Sequence, residues 1–230
     1  MFDRIRKALS RDAKGRAEPP ASQLPHGAQG PVSEWAASRG MSFASVPLGG
    51  AVSMQGKVGG RPWRMELGRS TRDYIPGEEL RARAELGIDD DIASMVISRS
   101  LKDALERRAY SMITDTLQTT ASPNLPEEMR WLAMYDEVGW ESADDAFWRR
   151  YAVLADRRER APAWVDAGLI ELLLEAPQPA PESQVPFLLV LLRGKCYLRM
   201  QYLPAQTTTL EYAATVFTAA CQKALHAFGR

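Results

Sequence analysis

Alternating apolar and polar positions predict strands in the first half of the chain. Residues 52–58 and 63–67 flank the pair Gly59-Gly60, which is typical of a tight hairpin turn. In residues 79–88, aliphatic and small side chains alternate with charged ones. This pattern indicates a strand with one buried face and one solvated face.

The rest of the chain reads as further strands and amphipathic helices. Additional strands are predicted at residues 94–98, 151–155, 187–192 and 196–202. Apolar positions three and four residues apart predict helices over residues 33–39, 99–114, 126–135 and 162–176, and a last helix from about residue 208. Thr208 and Glu211 have the spacing of a capping box at the start of the last helix. Residues 136–145 are acidic and are expected to form a loop.

These elements predict an α+β fold. We expect a mixed or mostly antiparallel sheet of two hairpins plus extra strands, with helices packed on it. Residues 32–230 are expected to form one domain. Residues 17–31 contain four prolines and two glycines and are predicted to be a linker.

The first sixteen residues are predicted to be a disordered basic tail with an amphipathic pattern. Six Lys or Arg stand against two Asp, and Phe2, Ile5 and Leu9 recur at helical spacing. The candidate surface-docking residues are Phe2, Ile5, Leu9, Arg4, Arg6 and Lys7. Burial of each apolar side chain contributes about 1.5–3 kcal/mol, and each cation about 1 kcal/mol near an anionic membrane leaflet. Reversible membrane binding, docking on a protein, and a frayed terminus that binds nothing remain open as alternatives.

Charge is balanced over the whole chain but unevenly distributed. The formal net charge is zero, residues 57–83 carry +3, and residues 84–150 carry −7. A dedicated nucleic-acid binder usually has a net basic domain, so the balance argues against that class.

Cysteine use and hydropathy predict a cytoplasmic protein that is at most peripheral at a membrane. Cys196 and Cys221 are both in apolar, periodic surroundings, which favours two buried free thiols in a reducing compartment. The longest apolar run, residues 185–192, is far shorter than the roughly 20 residues of a membrane-spanning helix.

The sequence contains no motif that predicts catalysis, a cofactor or a metal. His26 and His226 lack partners at metal-ligand spacing, and the Gly-rich phosphate-binding patterns are absent. We therefore name no catalytic, cofactor-binding or metal-binding residue. An enzyme whose site is assembled from scattered residues of the acidic middle, around residues 131–145, remains an alternative.

Arg64, Arg81 and Arg83 form a candidate anion patch. They lie on the polar side of two predicted strands, and pairing of these strands would bring them together. Such a patch is typical of a module that binds anions or nucleic acid. Glu66 and Glu85 lie on the same strands, and cross-strand ion pairs with them would neutralise the patch.

Two segments resemble a pattern found in an uncharacterised family of bacterial proteins. Residues 147–156, Phe-Trp-Arg-Arg-Tyr-Ala-Val-Leu-Ala-Asp, precede a helix to residue 176 and a hairpin over 187–202, as in that family. Residues 60–67 resemble the family's earlier hairpin. The resemblance implies no activity and no site, since that family has none assigned. Its members often contain membrane-spanning helices, which this sequence does not predict.

Together these features predict a non-enzymatic adaptor. Its N-terminal segment would dock reversibly on a protein or an anionic membrane surface.

Overall fold

The computed structural model describes residues 26–45, 51–116, 127–178 and 184–229, which adopt an α+β fold. The strands are β1 Ser42–Ser45, β2 Val52–Val58, β3 Arg61–Arg69, β4 Glu78–Glu85, β5 Ala93–Ser98, β6 Asp136–Val138, β7 Tyr151–Ala155, β8 Phe187–Leu192 and β9 Lys195–Gln201. The helices are α1 His26–Ser38, α2 Arg99–Thr116, α3 Glu127–Met134, α4 Asp145–Arg150, α5 Arg160–Trp164, α6 Ala167–Leu174 and α7 Thr207–Phe228. The predicted class, α+β with a mostly antiparallel sheet, is confirmed.

All nine strands belong to one antiparallel sheet in the order β1-β2-β3-β4-β9-β8-β5-β7-β6. The C-terminal hairpin β8–β9 lies between β4 and β5, which follow one another in the chain. Arg81 of β4 is thereby placed opposite Arg199 of β9, 118 positions later in the chain. This insertion brings a fourth arginine to the strands that carry the predicted patch.

Two-residue turns set the register of the two hairpins next to that patch. Gly59 and Gly60 connect β2 to β3, and Arg193 and Gly194 connect β8 to β9, all four with positive φ. Such turns match the right-handed twist of the strands. Gly194 has a φ of 69°, and a Cβ there would lie 3.0 Å from the Ile88 carbonyl oxygen, so this position favours glycine for conformation and leaves little space for a side chain.

The larger hydrophobic core lies on one face of the sheet, beneath α1 and α4 to α7. Trp164 of α5 and Phe217 of α7 are fully buried there. The Trp164 indole Nε1–H donates to the Ala220 carbonyl at 3.0 Å, which satisfies its polar atom inside the core.

A smaller core lies on the opposite face and covers only part of the sheet. Leu101 and Leu105 of α2 and Met129 of α3 pack there against buried side chains of β5, β7 and β8. In the described ranges, no helix covers the outer sides of β2, β3, β4 and β9. We call this uncovered side of the four strands the open face.

Three predicted segments differ in the structure, and β1 and α4 were not predicted at all. Helix α1 begins at His26, within the predicted 17–31 linker, and buries Val32 and Ala36 in the larger core. Residues 136–138 of the expected loop form the edge strand β6. The helix predicted over 162–176 is two helices, because Asp166 is extended and its carboxylate caps α6 by accepting from Leu169 N at 3.0 Å.

The predicted capping box at the start of α7 is wrong. The helix begins at Thr207 with Gln206 as its N-cap residue, and no side chain caps it. Glu211 instead contacts α1, where it accepts from Trp35 Nε1 at 3.0 Å and pairs with Arg39. The spacing therefore predicted a local contact, whereas Glu211 makes a long-range one that fastens α1 to α7.

Candidate functional site

The open face is lined by charged and polar side chains. Successive side chains of β2, β3, β4 and β9 point to opposite faces of the sheet. One set lies in the larger core, and the other set forms the open face. Its members are Ser53, Gln55, Arg64, Glu66, Glu79, Arg81, Arg83, Glu85, Lys195, Tyr197, Arg199 and Gln201. Five cations therefore share this face with three carboxylates.

The structure brings the three arginines of the predicted patch together. Arg64 pairs in register with Arg83, and Arg81 pairs with Glu66, across β3 and β4. Directly opposed residues on one face of an antiparallel pair lie about 4.5–5.5 Å apart at their Cβ atoms. Arg64 and Arg83 thus present two neighbouring guanidinium groups at the surface.

Glutamates pair with all three arginines, as the alternative interpretation of the sequence expected. Glu66 lies 2.5 Å from Arg64 and 3.0 Å from Arg81, and Glu85 lies 2.5 Å from Arg83. The side chains of Arg64 and Arg83 remain about half exposed, at 51% and 53%. Since a guanidinium has five N–H donors, these paired arginines keep donors for a further acceptor.

An aromatic ring contributes to the same surface. The Arg83 guanidinium lies 5.8 Å from the centroid of the Tyr197 ring, within the range of a cation–π contact. Together with Arg64 and Arg199, these side chains line a concavity of about 550 Å³. A volume of this size lies within the range of ligand-binding clefts.

Glu79 is a buried carboxylate at the base of the open face. Its Oε1 accepts from Arg199 at 2.6 Å, and its Oε2 accepts from the Thr71 backbone N–H at 3.1 Å. The Thr71 and Ser70 hydroxyls approach the same oxygen at 3.3 and 3.5 Å. Glu79 therefore orients Arg199 and fixes the 70–75 loop above the sheet.

Glu128 is a second buried carboxylate, where α3 meets the open face. Its Oε1 accepts from Arg72 Nε at 2.8 Å, whereas its Oε2 has no hydrogen-bond partner in the described structure. The buried Tyr74 hydroxyl lies beside this carboxylate. Burial, and next the negative charge of Glu128, raise the pKa of Tyr74 far above its usual range.

Sequence reasoning assigned no site role to Glu79, Arg199 or Glu128. Strand alternation places Glu79 and Arg199 on the polar side of their strands, and this was the only sequence signal for them. Their burial depends on the 70–75 loop and on α3, which reach the sheet through long-range contacts.

The acidic middle does not supply the buried pair of carboxylates that a scattered enzyme site would need. Its carboxylates are all exposed: Asp136, Glu137, Glu141, Asp144 and Asp145. In the part of the chain that is described, no group of three or more His, Cys, Asp or Glu is placed to hold a metal ion.

A wider groove of about 660 Å³ lies on the other face, between α1, α7 and the end of β2. Its charged groups are Arg39 and Glu211, which are paired with each other, and Lys57. Its lining therefore carries less net positive charge than the concavity of the open face does.

The candidate surface-docking residues at the N-terminus, Phe2 to Leu9, lie outside the described residues, so docking through them stays a prediction. None of the described helices is both long enough and apolar enough to cross a membrane.

Comparison with known proteins adds evidence on the fold. No protein-family model matches the chain, and no curated protein matches its sequence. Among solved structures, the chain is similar to the crystal structure of the mycobacterial trehalose monomycolate transport factor A, TtfA. The similarity covers 89% of this chain and 97% of that chain, with a TM-score of 0.51 and 9% sequence identity. At this identity, the similarity shows that the two proteins share a fold.

Proposed function

We propose that this chain is a non-enzymatic adaptor whose open face binds an acidic segment of a partner protein. The observation that carries the proposal is the part of the sheet that no described helix covers, where four arginines outnumber two glutamates around a concavity of about 550 Å³. Electrostatic complementarity of this kind sets specificity and speeds association more than it adds affinity.

The distribution of charge favours a protein segment over a polyphosphate. Glu66 and Glu85 stand among the arginines and would repel a regular row of phosphates. A peptide supplies carboxylates at some positions and N–H donors at others, which suits a face with both signs of charge. Nucleic acid binding is accordingly an outcome that the test must exclude.

The fold is shared with TtfA, which is named a trehalose monomycolate transport factor. This similarity does not identify the partner of the open face, because fold similarity carries no site.

We predict that the open face selects acidic peptides from a library of random 12-residue peptides displayed on phage. Binding of the selected peptides should weaken about tenfold in the double variant Arg64→Ala/Arg83→Ala, because two exposed guanidinium groups are lost. The control variant Arg149→Ala/Arg157→Ala removes two exposed arginines elsewhere and should leave affinity unchanged.

Affinity for the selected peptides should also fall as salt rises from 50 to 500 mM, because exposed charges are screened. Selection of neutral or basic peptides, or equal weakening in both double variants, would contradict the proposal. Tighter binding of a 12-nucleotide single strand than of any selected peptide would favour the nucleic-acid alternative instead.

We propose that residues 1–16 supply a second, reversible attachment to an anionic membrane. The full chain should float with phosphatidylglycerol vesicles in a density gradient, and a variant lacking residues 1–16 should remain at the bottom. Neutral phosphatidylcholine vesicles are the control and should float neither protein. Failure of both proteins to float with anionic vesicles would remove the membrane from the proposal.

A further inference from the structure

A small pocket adjoins the open face, where residues of α3 lie beside β8 and β9. Its floor is apolar and consists of Leu188, Val190 and Leu192, and the Trp131 ring of α3 forms a wall. The pocket has a volume of about 130 Å³. Tyr197 lines both this pocket and the concavity of the open face, so the two cavities adjoin at that ring.

The volume of the pocket limits what it can hold. Pockets for drug-sized ligands usually span roughly 300–1,000 Å³. An apolar cavity of about 150 Å³ holds a single benzene ring. A pocket of about 130 Å³ with an apolar floor therefore suits one large apolar side chain rather than a whole small molecule.

The buried carboxylate of Glu128 borders the pocket and is already engaged within the protein. Its Oε1 accepts from Arg72 Nε at 2.8 Å, and the Tyr74 hydroxyl lies beside it. The occupant therefore needs to supply only an apolar side chain.

The charges around the pocket match those of the open face. Arg193, Arg199 and Glu127 also line it, and Arg72 is paired with Glu128, so three cations face two carboxylates. Acidic residues next to the inserted side chain would thus meet arginines on both sides of Tyr197. This complementarity continues the surface on which the proposed function rests.

We infer that this pocket is an anchor site that receives one bulky apolar side chain of the partner's acidic segment. The inference rests on the proposed function and adds a specificity element to it. Anchors of this kind, inserted into small desolvated pockets, carry much of the binding energy of protein interfaces.

The first test uses the peptides selected by the open face. They should share one Leu, Ile, Met or Phe among their acidic residues, and its replacement by Ala should weaken binding about 30-fold. Filling the pocket with Val190→Phe should weaken binding of the parent peptide to a similar degree. The matched control Val138→Phe makes the same exchange at a half-buried valine on the far edge strand and should leave binding unchanged.

A second measurement uses the wild-type protein and so does not require that a substituted protein folds. In the wild-type protein with ¹³C-labelled methyl groups, the parent peptide should shift the Leu188, Val190 and Leu192 signals. The Ala-substituted peptide should shift them little. If peptides bind in an Arg64- and Arg83-dependent way without shifting these methyl groups, the anchor site is refuted and the proposed function stands. If no acidic peptide is selected at all, both fail together.

Discussion

Replacing Glu79 with alanine is expected to lower the free energy of unfolding by about 3 kcal/mol. The Glu79 side chain is fully buried, and its carboxylate pairs with Arg199 at 2.6 Å. Removal of one partner of a buried ion pair is costly because the remaining charge is left uncompensated. The Thr71 N–H would also lose its acceptor, which adds to the loss.

Urea unfolding followed by tryptophan fluorescence measures this effect. Glu85→Ala is the matched control, since Glu85 lies on the same strand and the same face but its side chain is 64% exposed. It should leave the midpoint nearly unchanged because exposed ion pairs contribute little. Glu79→Gln should fall between the two, as the amide can still accept from Thr71 but does not neutralise Arg199. Equal midpoints for Glu79→Ala and Glu85→Ala would show that burial of Glu79 does not matter.

Glu79 also connects stability to the proposed binding surface. It holds Arg199 in place and keeps the 70–75 loop against the sheet, and that loop carries Arg72 and Tyr74 to the anchor site. In a folded Glu79→Gln protein, peptide affinity should therefore fall as well. Glu85→Ala should not weaken the binding of acidic peptides, because it removes a carboxylate from the open face.

Seven of the nine described strands were predicted from the sequence because their patterns are local, whereas β1 and β6 were not. The turn at Gly59-Gly60 and the alternation in residues 79–88 depend on neighbouring residues only, and both appear as β2–β3 and β4. The three patch arginines were placed on one face by the same alternation. Alternation does not determine strand order. The insertion of β8–β9 beside β4 depends on pairing between residues that are far apart in the sequence.

The buried polar groups escaped prediction for the same reason. Glu79 and Glu128 look like ordinary surface acids in the sequence, one at the start of a strand and one in the first turn of a helix. They are buried by elements distant in sequence, such as Arg72, which lies 56 positions before Glu128. Glu211 shows the converse error. Its spacing from Thr208 is typical of a local helix cap, but its side chain accepts a hydrogen bond from the distant Trp35.

Stability should fall steeply as the pH rises above 10, because several tyrosines are buried in their neutral form. The Tyr151 hydroxyl donates to the Leu173 carbonyl at 3.0 Å, and the Tyr212 hydroxyl approaches the same oxygen at 3.4 Å. Burial raises the pKa of both, and the neighbouring Tyr151 raises that of Tyr212 further. Burial, followed by the charge of Glu78, raises the pKa of Tyr202 to about 12.

The sign follows from proton binding. Tyrosines of the unfolded chain lose their protons near pH 10, whereas these tyrosines keep theirs in the folded protein. Above pH 10 the folded state therefore binds more protons, and the free energy of unfolding falls with pH. A tyrosine that stays protonated in the folded protein contributes about 1.4 kcal/mol per pH unit. Tyr212, whose pKa is raised well above its usual value, should contribute this slope near pH 11, and Tyr151 should add to it. This contribution is fully present below pH 10.

Urea unfolding at pH 8, 9.5, 10.5 and 11 measures the slope, and Tyr212→Phe isolates one tyrosine. The variant should match the wild-type slope between pH 8 and 9.5 and be shallower by about 1.4 kcal/mol per unit near pH 11. The Cys196 thiol, whose pKa is raised well above its usual value by burial and by the adjacent Cys221, should make stability begin to fall before pH 10. A free energy of unfolding that stays constant from pH 9.5 to 11 would mean that these hydroxyls reach solvent in the folded protein. The Tyr151 and Tyr212 hydroxyls join β7 and α7 to the end of α6, so their ionisation should open the larger core. The open face lies on the opposite side of the sheet and does not contain these two residues.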